Sequence, residues 1–430
     1  MQKKLVSAFI IIAIATAGYF AYSSSRKEQI KYKTESERDV YVRFSMEAYD
    51  LISDNYFDSP NSYNLNNYFK LSLEKVSGRT QTLATSTREA VSQMIASEMK
   101  LATTTEAKKN LALNTIMVVL YNLQPVGRNG ILSTQQEKDL RQNVSNINPS
   151  KDLYQTLGIE KGANIDQVIN AYKKKQEEIN SSTSTDKEAI KDQIAYAKKV
   201  LTNPDSKTLY DQNQIEPTIF TSKIGNTLYL YISKISPTTF YEFAKAIDNA
   251  STTKNLDSLV LDMRGNVGGA LDFVQNFVGL FTGQNQYAFD LFHQGKFDVQ
   301  RTVQPKYADL VRYGDVAIIT DGMSQSTAEV ISSTFKRLHL GKIIGTHTRG
   351  WGTVENTYPI TTEISTSTKY SLLLVNSITL RDDNLPIEGR GVDPDVDTSK
   401  ASWKSQLSKH FRSASIIEAL KNTASKPPIK

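Results

Sequence analysis

The stretch Leu259-Val-Leu-Asp262-Met-Arg264-Gly265-Asn266-Val-Gly268-Gly269 decides the fold of the C-terminal half of this chain. Its apolar start predicts a buried strand, and the glycines that follow predict a tight turn before the helical pattern of 270–281. Glycines after a strand allow backbone N–H groups to converge on one point, which suits a phosphate or a developing oxyanion. The stretch fits neither the dinucleotide fingerprint nor the Walker loop, because no Gly-Lys-Ser/Thr follows and the third glycine is misplaced.

Strand and helix patterns alternate around this stretch, from about residue 216 to residue 400. Apolar or alternating runs predict strands at 227–232, 258–262, 315–320, 342–345 and 370–375. Helical spacing of apolar residues predicts helices at 239–249, 270–281 and 327–338. This order is typical of an α/β domain with a largely buried sheet, whose active site lies at the strand ends.

A second motif, Val316-Ala-Ile-Ile-Thr-Asp321-Gly322-Met323-Ser324-Gln325-Ser326-Thr327-Ala328-Glu329-Val330, again predicts a strand, a turn of small residues and a helix. A serine at the start of a helix gains from the helix dipole and from free N–H groups, so Ser326 is a candidate nucleophile. Serine is also a common helix N-cap, and Ser326 with Glu329 forms the capping-box pattern. The motif by itself leaves both interpretations open.

Two further motifs follow in order, Ile344-Gly345-Thr-His-Thr-Arg-Gly350-Trp351-Gly352-Thr-Val and Ile387-Glu-Gly-Arg-Gly391-Val-Asp393-Pro394-Asp395. The ordered set resembles the carboxyl-terminal processing, or tail-specific, serine peptidases. The resemblance implies an α/β peptidase domain of the ClpP/crotonase-like fold that acts on polypeptide substrates without metal or organic cofactor. It implies that Ser326 is the nucleophile and that the Thr327 amide, with an amide of Gly268 or Gly269, forms the oxyanion hole.

The general base of that family is a lysine in the motif FGKG, held by a glutamine four residues later, and this sequence departs from both. Trp351 stands at the lysine position and Glu355 at the glutamine position. An indole nitrogen only donates, so Trp351 accepts no proton. Three outcomes stay open: a substitute base pair of His347 and Glu355, a base elsewhere such as His293, or a pseudoprotease that binds peptides without turnover.

The middle of the chain, residues 151–213, predicts a small all-α unit with helices at 165–178 and 187–201 and a helix stop at Asn203-Pro204. Its pattern resembles a J domain, through LYQTLGI at 153–159, AYKKK at 171–175 and a second helix that continues into NPDSKTLYD at 203–211. The loop that would carry His-Pro-Asp reads Ile-Asn-Ser-Ser-Thr-Ser-Thr-Asp instead. We therefore expect a packing module or a site for a protein partner rather than a co-chaperone, standing where the family usually carries a PDZ module.

The N-terminus carries Lys3 and Lys4 before an uncharged stretch from Leu5 to Tyr22. This pattern predicts a membrane anchor or a cleaved signal peptide within residues 1–27, and either one exports the rest of the chain. The expected location is therefore extracytoplasmic, anchored in the membrane or secreted after cleavage. Residues 28–150 predict a mainly helical region, 216–400 the catalytic domain, and 401–430 one amphipathic helix with a polar tail.

Bulk composition excludes several classes of protein. The 51 basic and 45 acidic residues give a net charge of +6 but are mixed along the chain, which argues against a nucleic-acid partner. The absence of cysteine excludes disulfides, thiolate metal sites and cysteine nucleophiles. No metal site is predicted.

Overall fold

The computed structural model describes residues 32–59, 62–181 and 186–429 of the 430-residue chain. Among these residues no helix is long and apolar enough to cross a membrane. The predicted anchor or signal peptide at 1–27 lies outside the described residues.

The chain forms two compact units. Among the described residues, the first contains 32–49 together with Ser62–Ile116 and Thr361–Ile364, and the second contains the others. The N-terminal helices are α1 (Val40–Asn55), α2 (Ser62–Ser77), α3 (Arg88–Leu101) and α4 (Thr105–Asn122), preceded by a 3-10 turn at Glu35–Arg38. The core of the first unit is apolar and fully buried, with Val42, Phe44, Phe69, Val91 and Ile116 among its members.

A short strand and five helices follow, as β1 (Gly130–Ser133), α5 (Thr134–Val144), α6 (Leu153–Leu157), α7 (Ile165–Ser181), α8 (Lys187–Thr202) and α9 (Pro204–Asn213). The helices predicted at 165–178 and 187–201 are present as α7 and α8. Asn203 caps α9 through its side chain and Pro204 is the first residue of that helix, so the predicted helix stop is also a helix start. Helices α6 to α9 share a core that includes Leu153, Tyr154 and Tyr210. The J-domain resemblance of this unit stays a prediction.

The remaining elements are β2 (Ile219–Ile224), β3 (Thr227–Ile232), α10 (Thr239–Ser251), β4 (Ser258–Asp262), α11 (Asp272–Thr282), β5 (Tyr287–His293), β6 (Lys296–Arg301), β7 (Asp315–Thr320), α12 (Thr327–Arg337), β8 (Lys342–Gly345), β9 (Thr353–Ile360), β10 (Tyr370–Thr379), β11 (Val396–Asp397), α13 (Trp403–His410) and α14 (Ala414–Thr423), with a 3-10 turn at Ala308–Arg312. The predicted strands and helices of this region are therefore all present.

A six-stranded sheet in the order β11-β8-β7-β4-β3-β2 forms the centre of this domain, and only β2 runs antiparallel to its neighbour. Helices α10, α11 and α12 pack on one face, where alternate strand residues such as Leu228 and Leu259 enter the larger core. The intervening residues, such as Tyr229 and Val260, face α13 and α14 on the other side. Helices on both faces explain why every residue of β3 and β4 is buried, with no alternation between buried and exposed positions.

A second sheet is antiparallel and has the strand order β1-β10-β5-β6, with β9 also paired to β10. The sequence patterns did not predict it as a separate layer.

The C-terminal region also differs from the single helix that was predicted. The amides of Arg412 and Ser413 donate to the Asp315 carboxylate at 2.8 and 2.7 Å, and the Ser413 hydroxyl caps α14. These bonds turn the chain and divide the expected helix into α13 and α14.

Candidate active site

Ser326 lies in the turn between β7 and α12, directly before the first residue of the helix. Its backbone has φ 56° and ψ −126°, a region that residues other than glycine rarely adopt. A serine held in this strained way between a strand and a helix is the arrangement of the nucleophile elbow in α/β hydrolases. The side chain is half-buried at a helix N-terminus, where a developing negative charge is stabilised.

The glycine-rich turn after β4 lies against Ser326, as the sequence predicts. A Cβ placed on Gly268 would lie 2.6 Å from the Ser326 Cβ and 2.9 Å from the Thr327 nitrogen. Gly268 also has φ +79°, in the left-handed region. Only glycine therefore allows the two turns to approach this closely.

The amides of this turn decide which of the predicted oxyanion donors are available. The Gly268 N–H already donates to the Asn266 Oδ1 at 2.8 Å. The N–H groups of Gly269 and Thr327 have no acceptor within the described part of the chain. The Thr327 hydroxyl donates to the Gly269 carbonyl at 2.9 Å and joins the two residues. Gly268 is thus removed from the predicted set of donors, and Gly269 with Thr327 remains.

Asp321 fixes the two turns relative to each other. Its Oδ1 accepts the amides of Gly265, Met323 and Ser324, each at 3.0 Å. The Gln325 amide donates to the Asn266 carbonyl at 2.9 Å, which adds a direct bond between the turns. The position of the oxyanion donors relative to Ser326 therefore rests on several bonds between the two segments.

Glu329 connects the Ser326 turn to the loop that contains Trp351. One carboxylate oxygen accepts the amides of Ser326 and Trp351, at 2.9 and 2.8 Å. The other accepts the Thr348 hydroxyl and the Gly350 amide, at 2.5 and 2.7 Å. Burial raises the pKa of Glu329, and these four hydrogen bonds oppose the shift. The capping-box pattern predicted the bond from Ser326, but nothing in the sequence indicated the three bonds to the loop.

The Trp351 side chain is surrounded by charged groups. Its Nε1 donates to the Glu355 Oε1 at 3.2 Å, and the Arg128 guanidinium carbon lies 3.1 Å from the ring centroid. Arg128 in turn forms an ion pair with Glu388 at 3.1 Å, and Glu388 accepts the Gly352 amide. Arg128 belongs to the segment before β1, far from the peptidase motifs, and sequence reasoning missed it.

The structure does not bring together His347 and Glu355, the predicted substitute base pair. The His347 Nδ1 lies 2.8 Å from Asp393 Oδ1, and the ring is half exposed. Glu355 instead accepts the Thr353 hydroxyl at 2.6 Å and the indole of Trp351. Burial raises the pKa of Glu355, against these hydrogen bonds. His293 contacts the Asn376 carbonyl at 2.5 Å in the antiparallel sheet.

A comparison with known protein families agrees with the fold and with this site. Residues 226–398 match the family model for peptidase family S41. The C-terminal half of the chain is therefore similar to S41 peptidases over these residues, and the predicted resemblance to carboxyl-terminal processing proteases is confirmed.

Two curated relatives make the comparison specific. The chain is 27% identical over 183 residues to a probable CtpA-like serine protease of Staphylococcus epidermidis, across 43% of this chain and 36% of the relative. It is 30% identical over 135 residues to the carboxy-terminal processing protease CtpB of Bacillus subtilis, across 31% of this chain and 27% of that protein. The chain thus matches only 36% and 27% of the length of these two relatives.

The overall fold is also similar to that of a solved structure. The photosystem II D1 C-terminal processing protease superposes with a TM-score of 0.50 at 12% identity, over 90% of this chain and 99% of that one. The predicted α/β peptidase fold, preceded by a helical region, is therefore confirmed.

Proposed function

We propose that this protein is a serine peptidase that hydrolyses polypeptide chains through Ser326. The observation that carries the proposal is the strained Ser326 turn pressed against Gly268, with the free amides of Gly269 and Thr327 beside it. The named relatives, which are carboxy-terminal processing and CtpA-like proteases, support the same reaction.

In the proposed reaction the Ser326 oxygen attacks the carbonyl carbon of the scissile peptide bond, and its proton passes to a base. The negative oxygen of the tetrahedral intermediate accepts hydrogen bonds from the amides of Gly269 and Thr327. The base then returns the proton to the leaving amine, and water releases the acyl group from Ser326. His347, oriented by Asp393, and Glu355, whose pKa is raised by burial, are the candidate bases near the lysine position.

A second candidate function is a pseudoprotease that binds peptides without cleaving them. The surroundings of Trp351 favour it, because the position implied for the lysine base holds an indole covered by Arg128. A guanidinium stays protonated in proteins and an indole only donates, so neither group acts as a base. As a pseudoprotease, the protein binds peptides in the groove beside Ser326 and acts as a scaffold.

A fluorophosphonate serine probe separates the two candidates. We expect labelling of the full chain that disappears in Ser326→Ala and persists in Ser408→Ala, an exposed serine of α13. A folded protein that stays unlabelled would favour the scaffold. In an active protein, His347→Ala and Glu355→Gln then test the base, and turnover that is unchanged in both variants would remove these candidates.

We also propose that the protein acts outside the cytoplasm and that the helical unit at 151–213 binds a protein partner. Export rests on Lys3, Lys4 and the apolar stretch Leu5–Tyr22. A reporter enzyme that is active only outside the cytoplasm, fused after residue 31, tests it. We expect activity that is lost when Leu5–Tyr22 is deleted, and activity that survives the deletion would refute export by this segment.

A further inference from the structure

Three hydrogen bonds hold the C-terminal segment Ala424–Ile429 at the carboxyl ends of β3 and β4. They join the backbone of the segment to the side chains of Arg264 and Tyr229. The Arg264 guanidinium donates to the Ala424 carbonyl at 3.2 Å and also to the Lys426 carbonyl. At the other end, the Ile429 amide donates to the Tyr229 hydroxyl at 3.2 Å. These contacts use the backbone of the segment, whose first residues form the turn that ends α14.

The groups that hold the segment are buried and hydrogen-bonded to one another. Asp262 and Tyr229 are fully buried, and Arg264 is nearly so. The Arg264 Nε lies 3.0 Å from one Asp262 oxygen and 3.1 Å from the other, and the Tyr229 hydroxyl donates to Asp262 at 2.5 Å. A bidentate pair of this kind fixes the direction of the remaining guanidinium N–H groups. They point at the carbonyls of the segment.

Arg264 also begins the turn that carries the oxyanion donors. The next residue, Gly265, donates its amide to Asp321, and the turn ends at Gly268 against Ser326. A cleft of about 470 Å³ beside this turn is lined by Arg264, Gly265 and Asp321 on one side and by residues 426–428 on the other. The segment is therefore one wall of a space that adjoins the catalytic turns.

The sequence of the segment suits this position. Pro427 and Pro428 have fixed φ values and no N–H groups, so this part of the chain is extended before it docks and loses less conformational entropy. Lys426 is the one charged residue of the segment, and it is exposed.

We propose that residues 424–429 are an intramolecular peptide ligand and that their docking on Arg264 holds the turn from Gly265 to Gly269 in the position that Ser326 requires. Arg264 is then a positioning residue, which acts through the turn and touches no substrate. The effect on reactivity rests on the proposed function of Ser326, whereas the docking and its effect on the turn do not.

The first test is amide hydrogen exchange of residues 265–269 in the full chain and in a chain that ends at Thr423. We expect faster exchange in the shortened chain, reversed by adding the synthetic peptide Ala-Ser-Lys-Pro-Pro-Ile with blocked termini. The same peptide with an N-methyl group on the isoleucine cannot donate to Tyr229, and we expect it to restore protection less well. Unchanged exchange on truncation, or equal rescue by both peptides, would overturn the proposal.

Full-length variants test the same inference without truncation. Arg264→Lys keeps the charge beside Asp262 but loses the planar fork that reaches both carbonyls, and we expect faster exchange at 265–269. Tyr229→Phe removes the acceptor for Ile429 together with one donor to Asp262, and Arg412→Lys on the exposed surface is the control. Exchange that is equal in Arg264→Lys and Arg412→Lys, with both proteins folded by circular dichroism, would contradict the proposal.

Labelling by the serine probe then links docking to reactivity. We expect labelling of the shortened chain to be about tenfold slower, which corresponds to about 1.4 kcal/mol, and to recover with the unmodified peptide. An unlabelled full chain would refute the proposed peptidase activity and leave the exchange result to decide the docking. A labelled full chain with no change on truncation would refute the link to Ser326.

Discussion

The backbone amides of Ser326 and Trp351 donate to the same carboxylate oxygen of Glu329, at 2.9 and 2.8 Å. The distance between the two amide nitrogens therefore cannot exceed the sum of these two hydrogen-bond lengths. This relationship joins the proposed nucleophile to the loop that carries the base in the resembled family. It makes Glu329 a positioning residue, whose carboxylate touches the backbone of both segments.

Replacement of Glu329 tests this connection. A glutamine keeps the size of the side chain, but its NH2 group replaces one of the two carboxylate oxygens. The two groups that donate to that oxygen then have no acceptor. We expect Glu329→Gln to lower the free energy of unfolding by about 2 to 4 kcal/mol, because buried donors lose their partners. We also expect serine-probe labelling to slow by about tenfold or more. Glu418→Gln on the exposed face of α14 is the control, and equal effects in both variants would refute the role of Glu329.

The pKa of Glu329 predicts a pH dependence of stability. Burial raises this pKa above that of the unfolded chain, so the folded state binds the proton more tightly. The contribution of Glu329 to the free energy of unfolding is then largest below the unfolded pKa and declines as the pH rises through the folded pKa. Urea denaturation of the wild type and Glu329→Gln between about pH 4 and pH 8 measures it. We expect the difference, wild type minus variant, to shrink with rising pH, and a difference that grows would contradict the prediction.

The close approach of Gly268 to Ser326 predicts different outcomes at two glycines of the same turn. Gly268→Ala would place a methyl group 2.6 Å from the Ser326 Cβ, so we expect overpacking to cost about 1 to 3 kcal/mol. Probe labelling should fall as Ser326 moves. Gly265 also has positive φ, but a Cβ there meets no atom of the described chain within 4 Å. Gly265→Ala should cost only about 1 kcal/mol of backbone strain and retain labelling. Equal loss of labelling in both would count against the packing argument.

The residue pair implied by the family resemblance can be introduced into this chain. The double variant Trp351→Lys with Glu355→Gln supplies a lysine and a glutamine four residues apart. The fixed charge of Arg128 would lie beside the lysine and favour its neutral, basic form. We expect cleavage of an unstructured protein substrate to increase by about a hundredfold, the usual range for a general base. Adding Ser326→Ala should abolish the gain. A folded double variant without increased cleavage would refute the assignment of Trp351 to the base position.

Local features of the structure agree closely with the sequence patterns. The strand from Ser258 to Asp262 and the helix from Thr327 begin where the patterns predict, because apolar spacing and glycine turns act within a few residues. The nearness of Gly268 to Ser326 was also predictable, since both follow parallel strands whose carboxyl ends meet at one edge of the sheet.

The sequence by itself determined the order of strands, turns and helices, the motifs of a serine peptidase and the candidate nucleophile Ser326. Only the tertiary structure decided that His347 pairs with Asp393, that Arg128 covers Trp351, and that Asn266 engages the Gly268 amide. Periodicity and turn chemistry are local properties of the chain. The partner of a buried polar group depends instead on which distant segments the packed core brings within hydrogen-bond distance.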